Sequence, residues 1–116
     1  METKELFLRA HALSPLDARQ FLDRLADSLR MLASRYPPAL LSGGAELTIP
    51  ETMDEKTNAD PVYFQAILRG IIYGGSGSAA DRALFLEEAD AAYISLWRAA
   101  AAGKRITRTT AAGGDD

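Results

Sequence analysis

Cysteine is absent from the chain, which excludes disulfides, thiolate metal sites and thiol nucleophiles and suits an intracellular or virion protein. Long apolar runs are missing too. Arg69, Gly74 and Arg98 interrupt the most apolar stretches, so none approaches the roughly 18 to 20 residues of a membrane span, and a soluble chain is expected. There is no basic excess: sixteen carboxylates against ten arginines and three lysines give a net charge of −3, which argues against general nucleic-acid binding. The opening METKELFLRA carries charges among its first apolar residues rather than a basic start and a continuous apolar core. It does not read as a secretion signal, and the chain is expected to stay where it is made.

What is present suits one helical domain. The 116 residues are enough for a single core and too few for two, and 47% hydrophobic with 25% charged residues is the balance of a globular chain. Leu6, Phe7, Ala10 and Leu13 recur at three- and four-residue spacing and predict a short helix over 3–13. At SPLD, Ser14 can cap a second helix, with Pro15 at its first position and Asp17 at the capping-box position. Its stripe runs through Phe21, Leu22, Leu25, Leu29 and Leu32 until Pro37 and Pro38 stop it past Tyr36. Residues 39–59 show no helical stripe, although AELTI at 45–49 can form a short strand. So long a connection is a candidate contact element. Asp60 and Pro61 start VYFQAILRGIIY, read as a helix, with a strand kept open by the β-branched Ile71 and Ile72. Ser78 and Asp81 open the longest helix, through Leu86, Ala89, Tyr93, Leu96, Trp97 and Ala100 to about Gly103. The expected fold is all-α, a bundle of about four helices with a long helical hairpin in its second half, a long central loop and a flexible C-terminal tail. Residues 1–103 form the domain and 104–116 the basic-then-acidic tail.

Candidates for chemistry are few. Gly74-Gly75-Ser76-Gly77-Ser78 precedes a helix, as phosphate-binding loops do, but it lacks the lysine of GxxxxGK[ST] and follows a helix instead of a strand. It reads as an interhelical bend. His11, the single histidine, reads as a surface or boundary residue with no catalytic partner in view. Asp23 and Asp27 share a helix face, yet Arg19, Arg24 and Arg30 beside them favour a solvated ion-pair surface over a metal site. Glu87 and Glu88 diverge around their helix and cannot converge on one substrate atom. No catalytic, cofactor-binding or metal-binding residue is therefore assigned, and no enzyme is expected. Tyr63, Phe64, Tyr73, Phe85, Tyr93 and Trp97 read as a hairpin core, with those off the core stripe available for protein contacts.

The order of features, with DPVYFQAILRGIIY, a small turn and DRALFLEEADAAYISLWR ahead of a basic tail, resembles the head-tail connector (adaptor) proteins of tailed bacteriophages. The resemblance rests on Tyr63, Ala66, Asp81, Phe85, Ala89, Tyr93 and Arg98. It implies a structural virion protein, assembled in the host cytoplasm and residing in the neck. There it forms a ring of about twelve copies that joins the portal protein to the next neck or tail protein and extends the DNA channel. DNA would be transiting cargo, with no cofactor and no membrane contact. The resemblance also implies a C-terminal segment that docks on the portal, for which Lys104, Arg105, Ile106 and Arg108 are the candidates; on composition alone a solubilising end is equally open. In the 43–59 loop, Glu46, Glu51, Asp54 and Glu55 would suit a channel through which DNA slides, or a contact with a neighbouring subunit. Two other readings stay open: a small helical regulator or scaffold acting as a dimer, and a DNA-binding module using Arg19, Arg24, Arg30 and Arg35.

Overall fold

The computed structural model describes the backbone of residues 2–112 and the side chains of residues 2–101. Among them are five α-helices: α1 (Thr3–Leu13), α2 (Ala18–Arg35), the single turn α3 (Pro38–Leu41), α4 (Phe64–Ser76) and α5 (Ala79–Ala112). The all-α expectation holds. The hairpin of α4 and α5 carries the second half of the chain, as expected, and α2 packs along α4.

The start of α2 is fixed by a side chain that satisfies free backbone donors. That residue is Asp17 and not Ser14. Gln20 N–H donates to Asp17 Oδ1 at 2.8 Å and Asp17 N–H donates back to Gln20 Oε1 at 3.1 Å, a reciprocal pairing that uses two donors where Ser14 would use one. Ser14 is itself extended and closes α1, whose last residue, Leu13, is left 60% exposed. Leu16 is buried in its place beside Leu6, Ala10 and Phe21. At the other end Tyr36 is extended, with ψ of 149°, as the residue before a proline prefers.

The short strand that 45–49 could have formed is not present, and among the described residues there is only one isolated antiparallel bridge, between Glu2 and Lys56. Side chains replace a ladder. Asn58 accepts from Thr48 N–H at 2.7 Å and donates to the Glu46 carbonyl at 2.8 Å, while Thr57 Oγ1 donates to the Thr48 carbonyl at 2.9 Å. The connection is thus a strap folded on itself, with Leu47, Ile49 and Met53 packed against the core. Its far end is tied to the start of α1 by Thr3, whose hydroxyl donates to the Glu55 carbonyl, and by the exposed pairs Lys4–Asp54 at 3.1 Å and Lys56–Glu2 at 2.9 Å.

Asp60 caps a 3-10 turn at Pro61–Tyr63, accepting from Val62 N–H at 3.0 Å, and α4 continues from it. This settles the Ile71-Ile72 stretch as helix. Where α4 crosses α2, Gly70 lies against the fully buried Ser28. A Cβ added at Gly70 would overlap Ser28 Oγ, stand 2.9 Å from Ser28 Cβ and 3.1 Å from the Phe85 ring. Ser28 Oγ donates to the Ile67 carbonyl at 3.0 Å, so two small residues allow the helices to close and the hydroxyl is satisfied across the seam.

The glycine-rich segment divides differently from the expected bend. Gly74, Gly75 and Ser76 remain in α4, and only Gly77, with φ of 63°, adopts the left-handed conformation that ends a helix. Ser78 Oγ then accepts from Asp81 N–H at 3.1 Å to start α5. Gly74 and Gly75 serve packing, since Arg24 of α2 lies over them, with Nη1 2.5 Å from where a Gly75 Cβ would stand.

The backbone of α5 passes Gly103, where its end was expected, and reaches Ala112. Its 34 residues correspond to about 50 Å at 1.5 Å per residue, and the longest dimension of the molecule is 57 Å. The radius of gyration, 16.5 Å, exceeds the roughly 13 Å of a compact chain of this length. No helix among the described residues is long and apolar enough to cross a membrane.

Candidate interaction surface

Phe85, Ala89 and Ala92 recur at helical spacing and are buried, with Leu86, Tyr93 and Leu96 partly so. That stripe seats the first half of α5 against α4 and the end of α2. Around Leu96 large apolar side chains of the helix come into the open: Trp97 is 57% exposed and Ile94, three residues earlier, 44%. An indole and a branched aliphatic side chain together on a helix face that water bathes are the composition of an interface core.

The base of this face is fixed by a polar and aromatic cluster. Arg35 donates to Asp90 through Nε and Nη2, each at 3.2 Å, and its Nε also reaches the Tyr36 hydroxyl at 3.1 Å. The Tyr36 hydroxyl donates to Asp90 Oδ1. The Tyr36 ring stacks on Tyr93 at 4.9 Å and leans on Tyr63 at 5.9 Å. The Arg35 guanidinium, then the Tyr36 hydroxyl, hold the Asp90 carboxyl below its usual range. Burial, then the bond to Asp90, pushes the Tyr36 phenol up to about 12, and burial does the same to Tyr63. The Tyr63 hydroxyl is the one buried side-chain polar atom without a hydrogen-bond partner among the described residues.

Beside the cluster, Tyr36 also forms part of an apolar pocket of about 290 Å³ between the end of α2, α3 and the strap. Ala33, Leu41, Leu47 and Ile49 contribute its walls, and the exposed Glu46 also lines it. No sequence signal marks this pocket, because its walls come from three separate segments. The Arg35–Asp90 pair was equally hidden, since its members are 55 residues apart.

The loop carboxylates do not act as one group. Asp54 pairs with Lys4, and Glu55 Oε1 accepts from Glu51 N–H at 2.8 Å, so both brace the strap. Glu46 and Glu51 are exposed, Glu46 at the apolar pocket and Glu51 at a second groove with Asp23, Asp27 and Arg30. Lys104, Arg105, Ile106 and Arg108 lie outside the described side chains. On α2, Arg30 pairs with Asp27 at 3.6 Å, Arg35 with Asp90, and Arg24 covers the α4 glycines. His11 stacks on Phe7 at 5.7 Å, with Nδ1 3.1 Å from the Leu16 carbonyl. No cluster of three or more His, Asp or Glu side chains suited to a metal ion occurs among the described residues. Comparison with protein-family models, curated proteins and solved structures finds no match to this chain.

Proposed function

We propose that the chain is an assembly protein, a subunit of a ring at the neck of a tailed phage that joins the portal to the next neck or tail protein and extends the DNA channel. The observation that carries the reading is α5, whose buried stripe ends near Leu96 while the helix runs on to Ala112 with Trp97 and Ile94 uncovered. A helix that outlasts its own core needs a partner to bury its face. The order of motifs, which resembles that of phage connectors, supports a choice of partner: copies of the chain around the ring, and the portal at the basic segment with Lys104, Arg105 and Arg108. Glu46 and Glu51, exposed on the strap, are the carboxylates left to face the channel or a neighbour.

Three of the four α2 arginines give little support to the DNA-binding alternative, because Arg30 and Arg35 are paired with carboxylates and Arg24 lies on the α4 glycines, which leaves the exposed Arg19. Negative-stain imaging of the concentrated protein tests the proposal. Closed annuli with a central opening are expected; compact particles of two copies at every concentration would instead identify a dimeric regulator or scaffold.

A further inference from the structure

Trp97 and the pocket at the end of α2 are a projection and a recess on the same chain. Trp97 is not among the residues lining the pocket of its own chain. The pocket's volume of about 290 Å³ falls at or below the roughly 300–1,000 Å³ of pockets that take drug-sized ligands. It suits one large side chain. The charges beside the two features are opposite: Arg98 follows Trp97, the exposed Glu46 lines the pocket, and neither has an ion-pair partner among the described residues.

We infer that Trp97 of one copy seats in the pocket formed by Ala33, Tyr36, Leu41, Leu47 and Ile49 of the next copy, with Arg98 meeting Glu46 across the contact. This rests on the self-assembly reading and specifies its interface. Burying the indole removes a large apolar surface from water, and the Arg98–Glu46 pair sets the register. Projection and recess are different surfaces of one chain, so each contact leaves a free pocket at one end and a free Trp97 at the other. Repetition of such a contact closes into a ring when the rotation between copies permits.

The chain has no cysteine and a single tryptophan, which makes both readouts clean. Ala33→Cys and Trp97→Cys variants, one isotopically labelled, are mixed and oxidised, and the dimers are sorted by mass. The 33–97 heterodimer is expected in excess over the 33–33 and 97–97 species. In the doubly substituted chain the cross-links are expected to extend as a ladder. A ladder that stops at two copies would keep the contact and overturn the ring; rings without 33–97 cross-links, or a closed intramolecular disulfide, would overturn the contact.

Because Trp97→Cys removes the projection itself, the charge pair provides a second test on a chain that retains it. Glu46→Arg or Arg98→Glu should each weaken self-association about fivefold, in the range of an exposed ion pair, and the two reversals combined should restore it. Trp97 emission should shift to shorter wavelength as concentration rises, on entry into an apolar site. Emission that stays at the wavelength of a solvated indole while oligomers form would overturn the contact.

Discussion

Gly70 and Ser28 show how much of this fold depends on two small side chains. At the α2–α4 crossing a methyl group at Gly70 would strike Ser28 and approach Phe85, so Gly70→Ala should cost about 1–3 kcal/mol, the usual range for overpacking a tight core. Denaturant midpoints measure it. Combining it with Ser28→Ala removes the overlapping hydroxyl, and the pair should cost less than the sum of the single changes. Tyr63 predicts the opposite sign. Its hydroxyl is buried without a partner, so Tyr63→Phe should stabilise the chain by about 1 kcal/mol. The two raised phenols also set an alkaline limit. Between the ordinary value of 10 and about 12 the unfolded chain releases protons that the folded chain retains. The contribution of the two phenols is therefore complete below pH 10 and falls as pH rises toward 12, a slope that Tyr63→Phe should reduce. Asp90 acts at the other end: its lowered pKa contributes stability present above the usual 3.8 and lost as pH falls below it. At this scale the sequence said little. Nothing in the spacing of Ser28 and Gly70, or of Arg35 and Asp90, indicates that helices far apart in the chain bring them together.

The elements were far more legible, because helical spacing and terminal residues are local signals. The stripes of α2 and α5, the stop before Pro37 and Pro38, the Asp60 cap and the Ser78 start were all readable, and each rests on residues within a turn of one another. Errors arose where two local solutions competed. Ser14 and Asp17 can both cap a helix, and Gln20 decides for Asp17 by returning a hydrogen bond. Gly74 and Gly75 read as a bend, but the close approach of Arg24 accounts for them inside α4. The 45–49 segment has strand composition without a strand to pair with, and Asn58 supplies the missing bonds from its side chain. Asn58→Ala should therefore loosen the strap at a cost of about 1–2 kcal/mol for its two hydrogen bonds, with faster proteolysis within 46–56. On α5, the buried stripe ends near Leu96, so deleting 104–116 should leave the thermal midpoint unchanged. Under the connector reading the same deletion abolishes portal binding, and a large drop in the midpoint would show that the segment belongs to the core.

As a whole molecule the chain is a small helical body with one helix longer than that body can cover. The core, from Leu6 and Phe21 through Ile67 and Ile71 to Phe85 and Ala89, seats the hairpin, while Ile94 and Trp97 remain in water. The candidate site was only partly readable: the aromatic residues of α5 were in view, but the pocket beside Tyr36 exists only once α2, α3 and the strap meet. Under the proposed channel role, only weak, salt-sensitive contact with duplex DNA is expected, since Arg24, Arg30 and Arg35 of α2 are engaged, and firm retention at physiological salt would contradict that role. The most direct test of assembly is native mass spectrometry over a concentration series. The account predicts a closed species of about a dozen copies that grows with concentration at the expense of the monomer; a stable dimer at every concentration would contradict it.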